Sequence, residues 1–202
     1  MSNGKKLAIV VGSVFAFIAS AHAAEDSGWY VGAGLGQSQI DVNEGPFLQS
    51  DSDWSDTWTL TGGYRFNSWF ALEAGYTDLG TARFHSDTSF PGVFDVSSWL
   101  KIDGFNAAAV GTLPIGSAFD VHARLGVFFS DTKLSIDFPD TGFSQTQSGS
   151  DQNLFYGAGI AWHANENWSL SLDYQRYTNV GVDDPDLDAD VDSVGINAFF
   201  KF

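Results

Sequence analysis

The chain has 202 residues, with 9 basic side chains against 25 acidic ones, a formal net charge of −16 and no cysteine. That balance excludes a nucleic-acid binder held by a basic face, and the lack of cysteine excludes a disulfide-built scaffold. After the first residues no stretch approaches a transmembrane helix, yet 15% of the chain is aromatic, a weight that suits membrane interfaces.

At the N-terminus, Lys5 and Lys6 precede an apolar run from Leu7 to Ala19, and Ala21-His22-Ala23 follows as a small-residue cleavage site. The run is about 13 residues, shorter than the roughly 20 a spanning helix needs. Residues 1–23 are therefore expected to be a signal peptide, leaving residues 24–202 as one exported domain.

Eight segments then alternate with a period of two, and none keeps a helical period. In the first, from Gly28 to about Gln39, Trp29, Val31, Ala33 and Leu35 share one face and Tyr30, Gly32, Gly34 and Gly36 the other. The second sets Trp58, Leu60, Gly62 and Tyr64 against Thr57, Thr59, Thr61, Gly63 and Arg65, and the third Phe70, Leu72, Ala74 and Tyr76 against Ala71, Glu73, Gly75 and Thr77. A less regular fourth runs from about Val96 to Leu113. The fifth opposes Val121, Ala123, Leu125, Val127 and Phe129 to Asp120, His122, Arg124 and Gly126. The sixth and seventh carry Leu154, Tyr156, Ile160 and Trp162, then Trp168, Leu170, Leu172 and Tyr174, on their apolar faces. The eighth ends at Phe202, a terminal aromatic of the kind that closes outer-membrane barrels.

Connections alternate in length. Tight turns at 66–68, 114–117 and 164–167 contrast with long stretches over 40–56, 80–95, 131–152 and 178–191. This predicts an all-β, eight-stranded antiparallel up-and-down transmembrane β-barrel, with short periplasmic turns and four long extracellular loops. So small a barrel has room inside for side chains or one small ligand, so the many large rings belong outside. There they form two girdles, Tyr64, Phe70, Trp162, Trp168 and Phe202 near the turns and Trp58, Tyr76, Phe129, Tyr156 and Tyr174 near the loops. A lipocalin would have the reverse polarity, with bulky apolar residues inward.

The chain resembles the transmembrane barrel of the OmpA-like outer-membrane proteins. The matching segments are 29–36 (WYVGAGLG), 72–80 (LEAGYTDLG), Ala123-Arg124-Leu125-Gly126 with Asp131-Thr132-Lys133, and Leu172-Asp173-Tyr174-Gln175 with Thr178-Asn179-Val180-Gly181. The resemblance implies a monomeric barrel of the Gram-negative outer membrane that supports the envelope, in some members with adhesion or slow ion passage. The peptidoglycan-binding domain of the family prototype is not expected here. Small barrels of the OmpX, OmpW and opacity types share the architecture.

Within the lumen, Glu73, Arg124 and Asp173 are expected to pair, with Arg65 and Lys201 lower down, because a charge in a narrow lumen is costly without a partner. The family's gating arginine on the seventh strand is replaced by Ser171 and its acidic partner on the sixth by Ala161, which argues against a gate. The last connection holds six aspartates in ten residues. Asp183, Asp184, Asp186, Asp188 and Asp190 form a candidate calcium loop, though without the glycine or closing glutamate of an EF-hand; the plainer reading is a solvated anionic loop. Asp41, Glu44, Asp51 and Asp53 add to that acidic exterior. No cofactor is otherwise implied.

His85 stands near Ser86 and Asp87 in sequence, but adjacency in a loop does not build a triad, and no enzyme is expected. The expected function is structural or surface-interactive within the envelope, with the lumen plugged by polar and charged side chains. A narrow channel or small-solute conduit of the OmpW kind is the alternative. Expected partners are outer-membrane lipid, lipopolysaccharide and, through the strand ending at Phe202, the barrel-assembly machinery.

Overall fold

In the computed structural model, residues 27–42, 54–86, 96–138, 143–180 and 189–202 are described. The expected signal peptide and Asp183, Asp184, Asp186 and Asp188 lie outside them, as do Glu44, Asp51 and Asp53. Eight strands follow in chain order: β1 Gly28–Val42, β2 Ser55–Asn67, β3 Phe70–Ser86, β4 Val96–Ile115, β5 Phe119–Phe138, β6 Phe143–His163, β7 Trp168–Val180 and β8 Ala189–Lys201. Each pairs antiparallel with its sequence neighbour, and β1 closes on β8 from Tyr30↔Lys201 to Val42↔Ala189. Closure leaves no strand edge within the membrane band, the condition for placing a sheet in lipid.

The period-two pattern maps onto inside and outside as expected. Leu35, Phe105, Leu125, Ile160, Leu172 and Ile196 are exposed on the outer wall, whereas Thr57, Glu73, Arg124, Ser171 and Asp173 are buried in the lumen. Outer rings contact one another across strands, Trp29 on Tyr64 near the turns and Tyr76 on Phe105 and Trp58 near the loops. These contacts build the two girdles.

Strand length departs from the sequence reading. The β4–β5 ladder continues to Ser97↔Asp137 and the β5–β6 ladder to Phe138↔Phe143, so the stretch read as a long connection over 131–152 is mostly a paired hairpin whose strands are separated only by residues 139–142. Strand β3 likewise runs through Ser86, and β1 through Val42. These extensions lie beyond the outer girdle, where no lipid imposes an apolar face. Cross-strand polar bonds hold the long hairpin instead, Ser135 Oγ to Thr146 Oγ1 at 2.9 Å and Ser150 Oγ to Asp131 Oδ1 at 2.7 Å.

Candidate functional site

The lumen is layered. At mid-height, Arg124 on β5 donates from Nε to Glu73 Oε2 on β3 at 2.8 Å and from Nη1 to Asp173 Oδ1 on β7. The Tyr30 hydroxyl on β1 donates to the other oxygen of Glu73, 2.8 Å away. Asp173 also accepts from the Ser171 hydroxyl and from Asn197 Nδ2 at 2.6 Å, and His122 Nε2 lies 2.5 Å from its Oδ1. Thr59 Oγ1 extends the network to Asn197 Oδ1 at 3.0 Å. One cation thus holds two carboxylates, with neutral donors filling their remaining lone pairs, the arrangement that makes buried charge tolerable.

Small residues make room for this layer. A Cβ on Gly159 would meet the Asp173 carboxylate and lie 2.7 Å from His122 Nε2, and one on Gly34 would meet the Asn197 amide and lie 2.8 Å from Thr59 Oγ1. The Phe199 ring lies beside the Arg124 guanidinium, 6.0 Å from centroid to Cζ, and meets Tyr30 edge-on.

Above the charges, on the extracellular side, Phe128, Phe155 and Tyr177 are at most 2% exposed. Phe155 stacks on Tyr177 with centroids 5.2 Å apart, and Phe128 meets Tyr177 edge-on at 4.9 Å. Leu79, Ile102, Val180 and Val191 complete a fully buried apolar cluster. Below the charges, a cavity of about 530 Å³ opens between the short turns. On its wall His163 Nε2 lies 2.8 Å from Asp120 Oδ2, and His122 Nδ1 lies 3.5 Å from Asp120 Oδ1.

The structure brings Glu73, Arg124 and Asp173 together but does not bring Arg65 or Lys201 into their cluster. Both line the cavity beneath. Register explains it, since Arg65 pairs with Gly28 and Lys201 with Tyr30 at the lowest rungs of the ladder, while Glu73 lies opposite Gly63 and Arg124 opposite Gly157 further up. Of the five candidate calcium-loop aspartates, only Asp190 is described. Arg176 Nη2 donates to it at 2.8 Å and the Asn179 amide at 3.1 Å, so both of its oxygens are engaged.

Residues 9–202 match the family model described as outer membrane protein beta-barrel domain. The chain belongs to that family. Among its curated relatives, Outer membrane protein A of Yersinia pseudotuberculosis is 32% identical over 172 residues, covering 83% of this chain and 46% of the relative. That of Salmonella typhi is 29% identical, over 88% of this chain and 49% of the relative. The chain therefore spans about half the length of the relatives it matches. Among solved structures, Ail, the attachment invasion locus protein of Yersinia pestis, superimposes with a TM-score of 0.58 at 18% identity, over 88% of this chain and 100% of that chain. Neisserial surface protein A does so with 0.56 at 19%, with the same coverage. As a member of the outer membrane protein beta-barrel family, the protein resides in the Gram-negative outer membrane.

In this outer-membrane barrel the apolar cluster and the Tyr30, Ser171 and Asn197 donors are what sequence reasoning left out. Strand parity carries the signal for the donors and the three rings, whereas Val180 leaves it where the β7–β8 register shifts after Tyr177. Phe128 continues the inward series His122, Arg124 and Gly126, and Tyr177 continues Ser171, Asp173 and Gln175.

Proposed function

We propose that this chain is a closed, monomeric and non-enzymatic barrel that reinforces the outer membrane and offers a contact surface outside the cell. The observation that carries the surface role is the β5–β6 hairpin. Its ladder continues for nine rungs beyond Phe129↔Gln152, at the outer girdle, from Ser130↔Asp151 to Phe138↔Phe143. Among the described residues β6 pairs with β7 only over Phe155–His163, so its upper part is held on the β5 side alone. Ser144, Gln145, Thr146, Gln147, Ser148, Ser150 and Asp151 are exposed there. Among the described residues that edge has no ladder partner on its β7 side, and a strand edge of this kind is a template for an added extended segment.

Closure is supported by the two lumen layers. An ion would have to displace the Arg124 bonds to Glu73 and Asp173, then cross a dry layer of Phe128, Phe155 and Tyr177. The acidic exterior supports attraction to cationic rather than polyanionic partners. Lipopolysaccharide is the expected lipid neighbour, and the strand ending at Phe202 the segment recognised during assembly.

Two experiments test this reading. Planar-bilayer recording of the refolded protein should give no discrete steps, and reproducible small steps would replace closure with the channel reading. Cells bearing a hairpin shortened above Asp131 and Ser150 and rejoined by an Asn-Gly turn should lose attachment to a protein-coated surface while keeping a heat-modifiable barrel. Unchanged attachment would remove the contact role.

A further inference from the structure

The β5–β6 hairpin carries its β6 edge nine rungs past the outer girdle, about 30 Å along the strand at the usual rise per residue. Residues 143–153 contain no lysine, arginine or proline and a single charge, Asp151. Exposed strand edges ordinarily carry such residues against pairing with another chain. The opposite flank of the same raised sheet, β3 beyond Asp78, differs. Its Thr81 carbonyl accepts from Ser55 Oγ at 3.0 Å, and Arg83 follows on the strand. Over 144–148 the β6 edge is Ser, Gln and Thr alone, side chains that pair across strands by hydrogen bonds.

Symmetry decides how two copies of this edge can meet. Barrel strands tilt by roughly 40° from the membrane normal. A two-fold axis along that normal reverses the tilt but leaves both β6 strands running from Phe143 down to His163. Two barrels in one membrane therefore bring their β6 edges together crossed, at about twice the tilt, and crossed strands form no ladder. A two-fold axis lying in the membrane plane turns one β6 strand end over end, so the pair is antiparallel whatever the tilt. The two membranes then face each other. Centred on Gln147, this register opposes Ser144 to Ser150, Gln145 to Gly149 and Thr146 to Ser148, and sets Asp151 opposite Phe143. No charge stands opposite a like charge.

We propose that the β6 edge is a self-recognition surface, pairing antiparallel with the β6 edge of a second copy on an apposed membrane and joining two hairpins into one sheet. The inference rests on the hairpin being the contact surface and names its partner as this same chain. Repulsion between two chains with 25 acidic side chains each is screened beyond about 8 Å at physiological salt, so pairing should strengthen as salt is raised.

The test uses the full mature barrel folded into zwitterionic phospholipid vesicles, in two populations with different dyes mixed at physiological salt. Co-clustering, read by light scattering and two-colour microscopy, should appear when both populations carry the barrel and be absent when one is empty. Gln147→Lys on both populations should abolish it, as should Gln147→Asp on both, because like charges then meet at the axis. Mixing Gln147→Lys vesicles with Gln147→Asp vesicles should restore it. The heat-dependent gel shift checks that each variant is folded. Clustering against empty vesicles would make lipid the partner, and clustering unmoved by the charges would place the contact elsewhere. Barrels that crosslink only within one vesicle would make the pairing head to tail, β6 onto β3. Each of these results, like dispersed parent vesicles, overturns the proposal. A hairpin that still mediates attachment to a protein-coated surface while vesicles stay dispersed leaves the contact role standing and removes self-recognition alone.

Discussion

Arg124 on β5 and Glu73 on β3 bond at 2.8 Å across the lumen, although β4 separates their strands around the wall. The ladder ties each strand only to its neighbours, so this pair is a cross-brace that backbone pairing does not supply. Among the described residues Arg124 answers two carboxylates and Glu73 one cation. Loss of Arg124 should therefore cost more. Arg124→Gln is expected to destabilise by about 3–5 kcal/mol and Glu73→Gln by less, with the double variant short of the sum by at least about 1 kcal/mol. Urea titration of reversible folding into lipid vesicles measures all corners of the cycle, and strict additivity would show that the brace carries no coupling.

How much of this was legible beforehand depends on what alternation records. Inside and outside follow from parity, which is why Leu72 and Glu73 sort at once and why Glu73, Arg124 and Asp173 stand out as inward charges. Parity does not give height. Height comes instead from the distance to the short turns, which sets Arg65 and Lys201 below Glu73, Arg124 and Asp173 in the sequence, and the ladder has them on its lower rungs. Size reasoning assigned large rings to the lipid face, true of Trp29 and Phe105, but Phe128 and Tyr177 break it where the lumen must be filled. The extended hairpin is not legible in the sequence, because Ser, Thr and Gln on both faces look like loop when no membrane demands contrast.

Gly159 shows that smallness inside the barrel is specific to place. An added methyl would press on Asp173 and His122, and on the Leu172 carbonyl 2.7 Å away, whereas one on Gly62 meets nothing within 4 Å. Gly159→Ala is expected to cost about 1–3 kcal/mol through overpacking, while Gly62→Ala should stay within about 0.5 kcal/mol of the parent. Thermal shift of the unboiled gel band ranks the two. Equal shifts would mean that the charge layer yields freely.

The aromatic layer should act on both stability and closure. Phe128 has no exposed surface and packs against Tyr177, so Phe128→Ala is expected to cost about 3–5 kcal/mol. Conductance should still be absent, because the Arg124 layer beneath is intact. Only Phe128→Ala combined with Arg124→Gln removes a barrier from each layer and should yield discrete steps in a planar bilayer. Steps from Phe128→Ala alone would show that the charge layer does not hold back ions.

The outer wall should read depth in the membrane. Leu125 and Leu113 both face outward, 57% and 68% exposed, but Leu125 lies on β5 between Phe119 near the turn and Phe129 at the outer girdle, opposite Ala109, and Leu113 lies two residues before the β4–β5 turn begins to close at Ile115. A cation at the midplane must thin the bilayer or draw water in, whereas near the interface a long side chain reaches headgroups. Leu125→Arg is thus expected to destabilise by about 2–4 kcal/mol and Leu113→Arg by about 0–1 kcal/mol. Folding titrations into vesicles of one lipid thickness measure both. Similar costs at the two sites would mean that the turn end does not lie at the membrane surface, and the placement of the lower girdle would have to move.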